Sequence, residues 1–234
     1  MNEKNNKGSR LLRSEQYDTV DELIERSQAS FSYYLMLILS SLVIGSGILL
    51  GNSAIIIGGM VITPVLTPLI CIALGIAVGK IALIRQVSLF LLKSFLIIVA
   101  SGLVLAIFFG HPSAGFVFEN TARTALLYFV VALASGAAAS FAWTKKDISD
   151  ILPGVAVSVS VVPPLCLVGI GLSALNPDIT RFYLFVFLLN SFGIIIGGLV
   201  IFSLLKFHRA EDEVSREVEN AYGKEISTDE KTKF

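Results

Sequence analysis

Residues Gly58–Gly75 read GGMVITPVLTPLICIALG. No charged side chain interrupts them, and two prolines, Pro64 and Pro68, stand in their middle. They belong to an apolar block, Ala54–Val78, long enough to cross a hydrocarbon layer of ~30 Å as a helix. Proline removes a helical hydrogen bond and crowds the preceding turn, so this helix is broken where the bilayer is deepest. In hydrocarbon the freed carbonyls need other helices, hydroxyls, water or a ligand. Thr63 and Thr67 supply hydroxyls beside the break.

Five further blocks have the same character: Ser32–Leu50, Gln86–Phe109, Thr124–Trp143, Ile151–Ala174 and Phe182–Leu205. Of 234 residues, 54% are hydrophobic and only 15% charged, against about 25% charged in a soluble domain. The reading is an all-α polytopic membrane protein with six transmembrane helices. Fifteen Lys and Arg fall on the side that holds both tails, against two on the other, with Lys93 inside a span. The positive-inside rule puts both termini in the cytoplasm of a multi-pass protein of the cell (inner) membrane. The start, MNEKNNKGSRLLRSEQ, lacks the apolar region of a signal peptide. The chain then divides into a cytoplasmic tail (1–31), a first membrane unit (32–109), an external loop (110–123), a second membrane unit (124–206) and a cytoplasmic tail (207–234). Within the first tail, TVDELIERSQASF at 19–31 carries Thr19 and Glu22 at capping-box spacing and a helical apolar stripe. It reads as a helix on the membrane interface, or equally as an extension of the first span.

A displacement of 96 positions aligns Ser53–Gly79 with Ser149–Leu175 and matches eight of 27 residues, Gly58/Gly154, Pro68/Pro164 and Gly75/Gly171 among them. With one inserted residue, LLKSFLII at Leu91–Ile98 matches LLNSFGII at Leu188–Ile195, which pairs Lys93 with Asn190. A three-helix unit repeated after an odd number of spans must enter the membrane from the opposite side. The result is two inverted repeats, an architecture of secondary transporters and also of channels. The fifth block, LPGVAVSVSVVPPLCLVGIG at 152–171, is broken in turn by Pro163 and Pro164, with Ser158 and Ser160 beside them. Paired breaks at corresponding positions point to a substrate site. Its candidate residues are Thr63, Pro64, Thr67, Pro68, Ser158, Ser160, Pro163, Pro164 and Asn190. Lys93 is a further candidate as a counter-charge for an anion, unless it snorkels to the headgroups.

No Asp or Glu lies within a span, and both His111 and His208 fall outside. That pattern argues against a carboxylate proton relay, a metal site and an enzyme, and no resident cofactor is expected. Coupling to Na⁺ through hydroxyls and carbonyls stays open, as does uncoupled diffusion. Neutral net charge gives no reason to expect nucleic acid. Small residues in ALASGAAAS at 132–140, with Gly193, Gly197 and Gly198, form close-packing faces that suit helix pairing and a homodimer or homotrimer. Cys71 and Cys166 sit in apolar blocks and read as packing residues.

GGMVITPVLTPL after an Asn-Ser turn, LPGVAVSVSVVPPL, LLNSF and the entry segment ELIERSQASFSYY together resemble the prokaryotic hydrophobic-domain family catalogued as domain of unknown function 389. The resemblance covers about Asp21–Phe207. It implies an integral membrane protein and brings no substrate or site residues with it. Lys93 departs from the neutral residue expected at that place. Taken with the repeat, the sequence points to a secondary transporter or permease for a small solute. An oligomeric channel or a non-transporting membrane scaffold are the other readings.

Overall fold

The computed structural model of the protein describes residues 19–111, 122–145, 161–207 and 218–219. Among the described residues all regular structure is helical. A short helix α1 (19–26) precedes α2 (Phe31–Leu49), α3 (Ser53–Ile62), α4 (Leu66–Val78), α5 (Ile81–Phe109), α6 (Ala122–Thr144), α7 (Val162–Ser173) and α8 (Pro177–Leu204). Helices α2, α5, α6 and α8 are each long and apolar enough to cross a membrane, and α3 with α4 makes a fifth such segment, bent by 54°. The first half of the expected fifth span, with Ser158 and Ser160, lies outside the described residues, as do the two ends of the chain and most of the external loop.

Local chemistry sets these boundaries. The Ser30 hydroxyl accepts from the Tyr33 amide at 3.1 Å and starts α2. The Asn52 side-chain oxygen accepts from Ala54 and Ile55 and starts α3, and Asn176 does the same for α8. Each cap satisfies amides that no helical carbonyl can reach. Helices α5 and α8 begin five residues before the apolar blocks that predict them, because Arg85 and Arg181 end a block without ending a helix.

Two stretches repeat their boundaries at one spacing. Helix α7 starts at Val162, 96 positions after Leu66, and α8 starts at Pro177, 96 after Ile81. The turns between them match as well. Lys80 N donates to Gly75 O at 2.9 Å and Asn176 N to Gly171 O at 3.1 Å. Gly79 N bonds Ile76 O, and Leu175 N bonds Leu172 O, both at 3.2 Å. These are two Schellman closures, with Gly79 at φ 76 and Leu175 at φ 51 in the left-handed position. Burial follows the same spacing: Val87, Phe90, Leu91, Ser94, Ile98 and Gly102 are buried on α5, and Tyr183, Val186, Phe187, Asn190, Ile194 and Gly198 on α8. At this spacing Asn190 stands with Ser94, one residue and about 100° of helix rotation from the pairing with Lys93 that the letter match suggests.

Helix crossings use the small residues. A Cβ at Gly169 of α7 would collide with the Val99 carbonyl of α5, and one at Gly102 with the Cys166 carbonyl. On the other side Gly136 of α6 faces the Ile194 backbone, while Gly197 faces Leu133 and Ala137. The small-residue faces expected to suit a second copy are thus occupied by crossings within the chain. Elsewhere large apolar side chains point outward, Leu96, Phe108, Phe109, Val130 and Phe192 among them. A helical bundle that is apolar both inside and outside is built for lipid.

Helix α1 is a separate short helix before the first span, not an extension of it. The chain breaks at 27–30 rather than continuing into α2. Its apolar stripe faces protein instead of lipid, with Val20 and Leu23 fully buried and Ile24 1% exposed. The Thr19 hydroxyl donates to the Trp143 carbonyl at 3.2 Å. The Arg26 guanidinium lies 5.4 Å from the Trp143 ring centroid and pairs with Glu22 at 2.8 Å. Helix α1 is a strut against the end of α6.

Candidate functional site

The break in α3–α4 is made by one proline. Thr63, just before Pro64, is forced to extended backbone (φ −71, ψ 125). Its amide closes the last turn on Met60 O at 3.2 Å, and its hydroxyl donates to Gly59 O at 3.0 Å. Two carbonyls that the broken helix releases are thereby satisfied from within. Pro68 does not break anything. It is the third residue of α4, where a missing amide hydrogen loses no helical bond. Pro163 and Pro164 are likewise the second and third residues of α7. They mark where a helix begins, and neither α4 nor α7 has a side-chain cap on its first turn. In apolar surroundings a proline there also removes a donor that would otherwise need a partner.

The other predicted residues are distributed unevenly. Thr63, Pro64 and Thr67 are half-buried and Pro68, Pro163 and Pro164 buried. Asn190 is 1% exposed and faces the bundle interior, as an amide in a membrane helix should. Lys93 is exposed on the outer surface of α5, among Leu89, Leu92 and Leu96, and so is not brought to the others.

A cavity of about 60 Å³ lies where the start of α7 meets four other helices. Pro163, Pro164 and Leu167 form one wall; Ile56 and Met60 of α3 and Ile48 of α2 form another. Tyr128 of α6 and Phe182, Tyr183 and Val186 of α8 close it. It accommodates a few water-sized bodies. The cavity joins the first half of one broken span to the second half of the expected other, but of the predicted residues that are described only Pro163 and Pro164 line it. Sequence reasoning missed Met60, Tyr128 and Tyr183. The available signal was a tyrosine near the start of each of two apolar spans, since a phenol among apolar helices asks for a reason.

The bundle, with its lipid-facing exterior, bent apolar pair and interior amide, defines an integral membrane protein. The chain belongs to the family described as Domain of unknown function (DUF389), whose model matches residues 60–196. It is 32% identical over 200 residues to an uncharacterised protein of Methanocaldococcus jannaschii, a match covering 83% of this chain and 59% of that protein. The chain thus spans less than two thirds of that relative's length. No solved structure matches it.

Proposed function

We propose that the protein is a secondary transporter or permease for a small solute, built as two inverted three-helix units in the cell membrane with both tails cytoplasmic. The observation that carries this reading is the return, after 96 positions, of helix starts, Schellman closures and buried faces around two helices that begin on prolines. Two contacts support the number of crossings. Thr19 and Trp143 touch across α2, α3–α4, α5 and α6. Their contact accords with the bent pair being a full crossing rather than a re-entrant loop. His111 bonds Ser173 at 2.9 Å, which accords with two crossings between the end of α5 and the end of α7.

The cavity and its counterpart support a conformational assignment. The cavity lies between the α7 prolines and the face where α2 ends and α3 begins, the outer face by charge. On the 96-residue spacing, Val186 corresponds to Phe90, Leu167 to Cys71, and Pro163 and Pro164 to Thr67 and Pro68. Among the described residues there, side chains pack closely. The Tyr33 ring packs 4.5 Å from Phe90 and 5.6 Å from Tyr34, Ser27 lies against Cys71, and α1 covers Trp143. Exchange of these two arrangements is what inverted halves do in alternating access. The present state is outward-facing, with α1 sealing the inner side.

Single cysteines in a background lacking Cys71 and Cys166 test this with an impermeant thiol reagent. Met60→Cys should label only from outside. Thr67→Cys should label from inside, and faster once residues 1–28 are removed. Failure of both positions to label in folded protein would leave the scaffold reading. Simultaneous labelling from both faces, with ion conductance, would make it a channel.

A further inference from the structure

Lys93 is the one charged residue within an apolar span of this sequence, and the structure leaves it on the outside. Its flanks are lipid-facing leucines, with Leu89 54%, Leu92 55% and Leu96 63% exposed. Among the described residues neither Lys93 nor Arg85 makes a hydrogen bond or ion pair. A charge in that setting is costly unless its partner comes from outside the chain.

Geometry says where the charge can go. Helix α5 has 29 residues and is about 43 Å long, about 13 Å more than the hydrocarbon layer. The apolar run of α5 continues to exposed Phe108 and Phe109 at its outer end, so the excess projects at the start, on the cytoplasmic side, where Lys80 and Arg85 sit. Lys93 lies twelve residues into α5, about 18 Å along it, which leaves its Cα about 5 Å below the inner hydrocarbon boundary. Helical side chains lean toward the helix N-terminus, here toward that boundary, and a lysine stem bridges such a distance. Arg85 stands about 12 Å nearer the cytoplasm. The position 96 later, on α8, is Leu189. The repeated scaffold thus has no need of the lysine, which serves only the cytoplasmic side.

We propose that Lys93, with Arg85 above it, binds the phosphate of an anionic phospholipid of the cytoplasmic leaflet, whose chains lie over Leu89, Leu92 and Leu96. A soluble phosphate would have to enter the acyl layer to reach the same ammonium, whereas a lipid presents its phosphate at that depth with chains that fit the flanking leucines. The site rests on the orientation given by the positive-inside rule and is independent of whether the protein transports anything.

The test uses the full chain in phosphatidylcholine vesicles, with Trp143→Phe and a reporter at Leu96→Trp. Quenching by brominated phosphatidylglycerol is compared with quenching by brominated phosphatidylcholine. One basic residue near the surface is worth about 1 kcal/mol toward anionic lipid, or about fivefold. With Lys93 present, phosphatidylglycerol should be preferred about fivefold more than in Lys93→Leu, and Lys93→Arg should keep the preference. Lys93→Gln repeats the comparison with a polar side chain, should the leucine variant not fold. Equal preference in the native and neutral variants overturns the proposal. So does loss of the preference in sodium phosphate but not in sodium chloride of equal ionic strength, which would assign the site to a soluble anion.

Discussion

The two Schellman closures make a paired experiment, because the same left-handed position holds glycine in one and leucine in the other. At φ 51 Leu175 brings its Cβ against the following carbonyl, at about 1–2 kcal/mol for an L-residue. It is 89% exposed, so its side chain returns almost nothing through packing. Leu175→Gly removes the strain and adds about 0.5–1 kcal/mol of unfolded-state entropy, a net gain of about 0.5–1 kcal/mol. Gly79→Leu runs the other way. Nothing lies within 4 Å of a Cβ built at Gly79, so no clash adds to the loss, which is again about 0.5–1 kcal/mol. For a chain of this length each kcal/mol moves Tm by about 2–4 °C. Thermal unfolding in detergent, followed by near-ultraviolet circular dichroism, should show Leu175→Gly about 1–4 °C above the native protein and Gly79→Leu below it by a similar amount. The double variant should fall near the native value, since exchanged residues occupy exchanged positions. A lower Tm for Leu175→Gly would refute the assignment of strain to that turn. A neutral Gly79→Leu would refute the conformational argument altogether.

Three further outcomes follow from the packing. Gly169→Val drives a side chain into the Val99 backbone, and should abolish a monodisperse elution profile, whereas Gly58→Ala, open on all sides, should leave it unchanged. Ser41→Ala removes the 2.9 Å hydroxyl bond to Ser101 between α2 and α5 and should lower stability by about 1 kcal/mol in chemical unfolding. Arg26→Gln breaks the pair with Glu22, but those side chains are 62% and 42% exposed, so the change should stay under about 1 kcal/mol and shrink with added salt.

Much of the architecture was legible because hydrocarbon tolerates so few alternatives. Length and apolarity located α2, α5, α6 and α8, and Asn52 announced the start of α3. The breaks were legible as prolines, but their division of labour was not. Pro64 interrupts a helix while Pro68, Pro163 and Pro164 begin one, a distinction set by where the preceding residue turns. Lys93 and Asn190 show a second limit. Identity of letters favoured a register one residue from the one that burial follows, because in apolar sequences Leu, Ser and Phe recur by chance, whereas the buried face is fixed by what crosses it. The cavity was hidden for a related reason. Met60, Tyr128 and Tyr183 come from three helices, and no spacing within one segment announces their meeting.

The bend between α3 and α4 has a consequence for how the protein is made. At ten residues α3 is about 15 Å long, half a bilayer, and α4 alone is little longer. Neither is a segment that the insertion machinery would retain by itself. Residues 53–78 therefore have to be recognised as one stretch and partition into lipid together, before the angle at Thr63 and Pro64 exists. The angle is fixed only when Gly59 closes on Ile44 and the Ser40 carbonyl of α2. Biogenesis thus has an order, with entry first and folding of the bend second, and substitutions that lower the summed hydrophobicity of the two halves would strand the chain at the first step while leaving every contact of the finished protein available.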